Sequence, residues 1–128
     1  RSNTEPPRTP PGMRIPRAPH SWRLTPRSAL RLQHRLAAEV SAVPNRYPLR
    51  FIAGLDAAFS KDGTNCIAGV VLWDALKRCV IEQHTATRPV RFPYVPGLLS
   101  FREAPALLAA LRKLRQVPDV LLCDGQGR

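Results

Sequence analysis

Apolar positions recur at two spacings along this chain, and the change from one spacing to the other divides it into elements. Between 26 and 41, Ala29, Leu32, Leu36 and Val40 recur every three or four residues, the stripe of an amphipathic helix. Thr25 stands where an N-cap is expected and Pro26 where a helix tolerates proline best. Arg27, Arg31 and Arg35 fall on another face, and Pro44 and Pro48 end the helix. From 50 to 59 the period drops to two. Phe51, Ala53, Leu55, Ala57 and Phe59 then share one face of a buried strand. Asp62-Gly63 marks a hairpin turn, and 66–73 (CIAGVVLW) and 78–85 (RCVIEQHT) read as two further strands. The short loops between the three predict an antiparallel meander. An irregular loop, Phe92-Pro93-Tyr94-Val95-Pro96-Gly97, precedes a helix over 101–116. Its inward side is Leu107, Leu108, Leu111 and Leu114, and Pro118 stops it. The run DVLLCD at 119–124 predicts a fourth strand, its unbroken apolar stretch suiting a central parallel strand covered on both faces.

Composition sharpens this picture at one end. At 128 residues with 44% hydrophobic content, the chain has room for one folded domain with a core. The formal charge of +11 comes from 20 Lys and Arg against 9 Asp and Glu. Residues 1–50 hold 10 Arg and 2 Glu, a balance of +8, and the remainder carries only +3. Such an excess favours polyanions, nucleic acid above all, because counterions are released on binding. Residues 1–21 mix six prolines with Arg and Ser and predict a disordered leader, so that 22–128 is the domain. Cys66, Cys79 and Cys123 are odd in number and far apart, the pattern of buried free thiols in a reducing compartment rather than a zinc site. There is no run of about 18 apolar residues and no signal peptide, so a cytoplasmic monomer with no membrane partner is expected. The chain opens on Arg1 rather than Met, which points to a start further upstream.

Three carboxylates are candidates for chemistry. Asp56 interrupts an apolar strand, where a carboxylate is costly unless paired, hydrogen-bonded or bound to a metal. A satisfied polar residue near a strand end is the simpler alternative. Asp124 closes the run VLLC, and active groups of α/β sheets gather at the carboxyl ends of strands. Were the first and fourth strands parallel neighbours, Asp56 and Asp124 would lie side by side and repel unless a cation sat between them. Mg²⁺, which takes hard oxygen ligands, suits that position. Glu103 is the third, although Ser100-Phe-Arg-Glu103 also reads as a capping box. His20, His34 and His84 form no ligand pattern. Gly125 and Gly127 admit a close approach by a base or make a tight turn.

Several stretches together resemble one family. FPYVPGLLSFREAPALL at 92–108 and PDVLLCDGQG at 118–127 are similar to endonuclease V, as are IAGLDAAF at 52–59 and LTPRSALRLQHRLAAEV at 24–40. The likeness extends over about residues 22–128, and the leader has no counterpart in the family. The resemblance implies an α/β, ribonuclease H-like mixed sheet, of which β-β-β-α-β is the opening. It implies a DNA-repair endonuclease dependent on Mg²⁺, with Mn²⁺ as a substitute, acting on inosine-containing DNA. That activity is hydrolysis of the second phosphodiester bond 3′ to the deaminated base. Carried over by motif, Asp56, Glu103 and Asp124 are the metal-binding, catalytic carboxylates. Tyr94, flanked by Pro93 and Pro96, is the wedge that fills the gap left by the extruded base. Leu99, Gly125 and Gly127 line the pocket that receives it.

The family also continues, past the residues matched here, with a His-Pro-Arg segment, further strands and helices, and a catalytic Lys. The C-terminal part of the fold is therefore expected to be missing, through truncation or gene decay, and these 128 residues alone are expected to be inactive. Two other readings compete. A non-catalytic nucleic-acid binder would keep the basic face and the tyrosine. A ribosomal-type basic protein would have no use for three acidic motifs in register.

Overall fold

The structure, a computed structural model, describes residues 13–44 and 48–124. Its elements follow the expected order: α1 (Pro26–Ala37), β1 (Phe51–Phe59), β2 (Asn65–Asp74), β3 (Cys79–Pro89), α2 (Ser100–Leu111) and β4 (Val120–Cys123). β1, β2 and β3 form the antiparallel meander, and β4 returns beside β1 in parallel, giving the sheet order β3-β2-β1-β4. α2 crosses one face of the sheet. The side chains there are the period-two set of β1 and β2: Ala53, Leu55, Cys66, Ala68, Val70 and Leu72. α2 meets them with Ala106, Ala109, Ala110 and Leu111, small residues that let helix and sheet pack closely.

Several expectations change on the structure. α2 ends at Leu111 rather than at 116, although Leu114 still reaches the core from the turn that follows. Leu107 and Leu108 are only half-buried, and the alanines take the inward positions. In α1 the cap is as expected, with Thr25 and Ser28 bonding each other's backbone N–H, but the buried stripe shrinks to Ala29 and Leu32. Val40 lies past the helix and is exposed. Cys66 is buried, whereas Cys79 and Cys123 are exposed; all three are free.

β4 departs most from the reading of a strand covered on both faces. It is the edge of the sheet, and Leu121, Leu122 and Cys123 are exposed, because among the described residues no strand lies beyond it and no helix covers the face opposite α2. The predicted leader is also shorter than expected at its inner end. Met13 and Ile15 pack against the core, and the Met13 N–H donates to the Leu114 carbonyl at 2.8 Å. Residues 1–12 lie outside the described residues.

Candidate active site

The site begins at the opposite end of the sheet, with Asp119. Its Oδ2 accepts the backbone N–H groups of Arg50 at 3.0 Å and Phe51 at 2.8 Å, while its own N–H donates to the Phe51 carbonyl at 2.8 Å. Those N–H groups hold its carboxyl below the usual range. This staple sets β4 in register with β1: Ile52 pairs with Val120 and Leu55 with Cys123. Asp56 and Asp124 each come one residue after the last pair, so the parallel register sets them on adjacent strands at the same level.

The cost of a buried carboxylate, which singled out Asp56, does not apply. Asp56 lies on the face opposite α2 and is exposed, as is Asp124, because nothing described covers that face. Its Oδ1 accepts the Ala57 N–H at 2.8 Å. Glu103 approaches from α2. The capping-box alternative for it fails on geometry: Leu99, not Ser100, is the N-cap, and no side chain caps the helix. Glu103 is half-buried in the first turn, and its carboxyl is pushed above the usual range by burial first, then by the charges of Asp56 and Asp124. The three carboxylates thus share one electrostatic neighbourhood.

This donor set consists of hard oxygens held among like charges and fits Mg²⁺ by its chemistry. Among the described residues, however, no three His, Cys, Asp or Glu side chains close into a ligand cluster.

Tyr94 is carried on a braced loop. Phe92 and Leu98 are 7% and 4% exposed and form a small core with Ala29 of α1, flanked by Leu24, Val95 and Phe101. Between them, Val95-Pro96-Gly97-Leu98 turns back with a Leu98 N–H to Val95 carbonyl bond of 3.0 Å. Proline at the second position and a positive φ of 84° at Gly97 are the type II pattern, and the latter requires glycine. Held between these anchors, Tyr94 is 70% exposed, so ordinary packing does not explain it. Pro93, Pro96 and Leu99 are exposed around it. Gly125 and Gly127 lie outside the described residues.

Sequence reasoning passed over two residues that build this site. One is Asp119, whose partners are 68 and 69 residues away and therefore invisible to local pattern. The other is Arg102. Its guanidinium lies 5.1 Å from the Phe59 ring centroid and 5.7 Å from that of Tyr94, joining the tyrosine to the end of β1 through two cation–π contacts. Its Nε is buried without a hydrogen-bond partner among the described residues. Position beside Glu103 was the one available signal.

Comparisons with known proteins bear on the family and the fold. The family model for endonuclease V matches residues 32–128. Endonuclease V of a Nostoc species is 44% identical over 110 residues, covering 85% of this chain and 50% of the relative. The solved endonuclease V of Streptomyces avermitilis superposes with a TM-score of 0.76 at 37% identity, covering 83% of this chain and 47% of that one. Endonuclease V of Ciona intestinalis, solved with a 24mer DNA containing an inosine followed by a ribo-adenosine, superposes with a TM-score of 0.67. At 20% identity that last likeness is one of fold, covering 77% of this chain and 45% of that one. The mixed sheet is thus the ribonuclease H-like sheet of these structures, and the chain spans about half the length of the relatives it matches. By its matched residues, its identity to these relatives and its fold, the chain belongs to the endonuclease V family.

Proposed function

We propose that this chain supplies the carboxylate centre and the base-displacing tyrosine of an inosine-directed endodeoxyribonuclease of DNA repair. One observation supports the reading: β1 and β4 pair in parallel as far as Leu55 and Cys123, so that Asp56 and Asp124 follow on adjacent strands, and both charges add to the rise of the Glu103 carboxyl. Asp56, Glu103 and Asp124 would hold Mg²⁺ or Mn²⁺. When bound, the metal would supply an activated water and stabilise the leaving oxygen. The chain's own part is to carry Asp56 and Asp124 on adjacent strands and to keep Glu103 half-buried, its proton affinity raised by burial first and then by those two charges.

Tyr94 would enter the base stack where the inosine leaves it. Weak pairing lowers the cost of extruding that base, and a tyrosine on a loop braced by Phe92, Leu98 and the Pro96-Gly97 turn needs little backbone ordering to stack. Pro93, Pro96 and Leu99 border the vacancy, with Gly125 and Gly127 assigned to the base pocket. The Ciona relative's complex with inosine-containing DNA supports this choice of substrate.

The test is a chimera of this chain with the C-terminal half of the Nostoc relative, given a strand with one inosine. A Mg²⁺-dependent cut at the second phosphodiester on the 3′ side, abolished by a chelator, is the expected result. Inosine-specific binding without any cut would support the non-catalytic reading instead.

A further inference from the structure

α1 carries a second feature that the site just described does not use. Arg27, Arg31 and Arg35 follow one another at a spacing of four, which on an α-helix makes a single stripe, and all three are exposed. Ala29, fully buried against Phe92 and Leu98, lies on the opposite side of the helix from Arg31. His34 is exposed beside the stripe, and α1 contains no acidic residue.

This arrangement works against the helix itself. Arg27 sits in the first turn, where the macrodipole disfavours a cation and where an acidic residue would help. Arg27–Arg31 and Arg31–Arg35 are like-charge pairs at the spacing where opposite charges would stabilise. The macrodipole favours Arg35 in the last turn, but helix stability gives no account of Arg27 or of the like-charge spacing. An external polyanion does, and the packing says which part of it they meet. The buried side of α1 packs through Ala29 against Phe92 and Leu98 of the loop that displays Tyr94, which puts the stripe on an element braced against that loop.

We infer that Arg27, Arg31 and Arg35 form a track for the phosphate backbone of the nucleic acid, flanking the point at which Tyr94 enters the stack. The inference rests on the nucleic-acid reading of the Tyr94 loop and extends it to a surface outside the carboxylate centre. The contacts are to phosphates, so they position the strand without reading its sequence. They strengthen binding to inosine-containing and undamaged DNA alike.

The 128-residue chain is titrated with an inosine-containing duplex and with the undamaged duplex over a series of salt concentrations. The triple variant Arg27→Gln, Arg31→Gln, Arg35→Gln is compared with Lys77→Gln, Arg112→Gln, Arg115→Gln. The second set removes the same charge from the other end of the sheet, near the β2–β3 turn and the end of α2. Each lost phosphate contact makes the slope of log affinity against log salt shallower by about 0.9. The α1 variant is expected to lose about 2 to 3 in slope on both duplexes, at an unchanged or raised melting temperature. The control variant is expected to lose less than about 1. Equal losses in the two variants would overturn the inference, since net charge alone would then be at work. A DNA slope unchanged in the α1 variant, with the loss appearing on anionic lipid vesicles instead, would overturn it in favour of a membrane surface. No binding of either duplex by the unmutated chain would overturn the nucleic-acid reading and the track together, whereas intact binding with an unaltered slope removes the track alone.

Discussion

At the residue scale, the role proposed for Glu103 and the stability of the fold pull in opposite directions. Its carboxyl is half-buried and faces the charges of Asp56 and Asp124, so without a cation it weakens the fold. Glu103→Gln is therefore expected to leave the melting temperature of the metal-free chain unchanged or slightly raised, measured by circular dichroism at neutral pH. A drop of several degrees would mean that Glu103 is a structural residue. Tyr94 poses the complementary case, an aromatic residue outside the core and 70% exposed, with Arg102 over its ring. In the chimera, Tyr94→Ala is expected to weaken binding to an inosine-containing strand about tenfold or more, since stacking on a base is worth about 1–3 kcal/mol. Binding to undamaged DNA should change little, and equal losses on both strands would contradict the wedge. Asp56 was proposed from an expected burial that the structure does not show. The apolar letters around it suggested burial, whereas period two turns it away from Ala53 and Leu55 onto an uncovered face. Its position in the strand, rather than its desolvation, was the usable signal.

At the scale of elements, strand ends distant from the carboxylates decide where those carboxylates stand. Arg50 donates twice to Asp74, from Nε and from Nη2, both at 3.1 Å, and the Leu76 and Lys77 N–H groups bond the same carboxylate. Asp74 is 1% exposed, and these partners, Arg50 first, hold its carboxyl at about 2. A folded-state value below the ordinary 3.8 gives stability that is present above that value and lost as the pH falls toward 2. Thermal unfolding followed from pH 6 to about 2 should show the midpoint dropping mainly below about 4, and Asp74→Asn should flatten that dependence. A profile identical in the variant would remove Asp74 from the account. Asp119 does for β4 what Asp74 does for the β2–β3 turn. Asp119→Ala is expected to speed amide exchange in 121–123 by roughly tenfold or more while the β2–β3 ladder stays protected.

The elements themselves were largely legible, because 51–59 and 66–73 are short apolar runs with the turn residues Asp62-Gly63 between them and Thr25-Pro26 marks a helix start. The end of α2 was not, because Leu114 continues the apolar spacing after the helix has stopped. Nor was the unaided start of α2, since Ser100 and Glu103 stand at capping-box spacing without using it.

At the scale of the whole molecule, the sheet is covered on one side only. Ile67, Val71, Trp73, Val80 and Leu122 lie on the side away from α2 and are all exposed, Leu122 to 59%. An apolar surface of this kind, next to the open edge of β4, favours association. The chain by itself is expected to bind a hydrophobic dye and to melt at a lower temperature and less sharply than the chimera, which is expected to bind little dye. A sharp transition and negligible dye binding in the chain alone would show that this face needs no cover. The sequence reading of β4 as a covered strand described its composition correctly, since VLLC is apolar throughout, and missed its surroundings, which no local pattern encodes. Central to the account is the claim that β1 and β4 bring two aspartates into one catalytic centre. The most direct measurement is nicking of an inosine-containing strand by the chimera, with Asp56→Asn and Asp124→Asn assayed beside it for both turnover and binding. The account predicts loss of nicking by at least about a thousandfold in each variant, of the size seen when a main source of transition-state stabilisation is removed, with inosine binding retained. Full activity in either variant would contradict it.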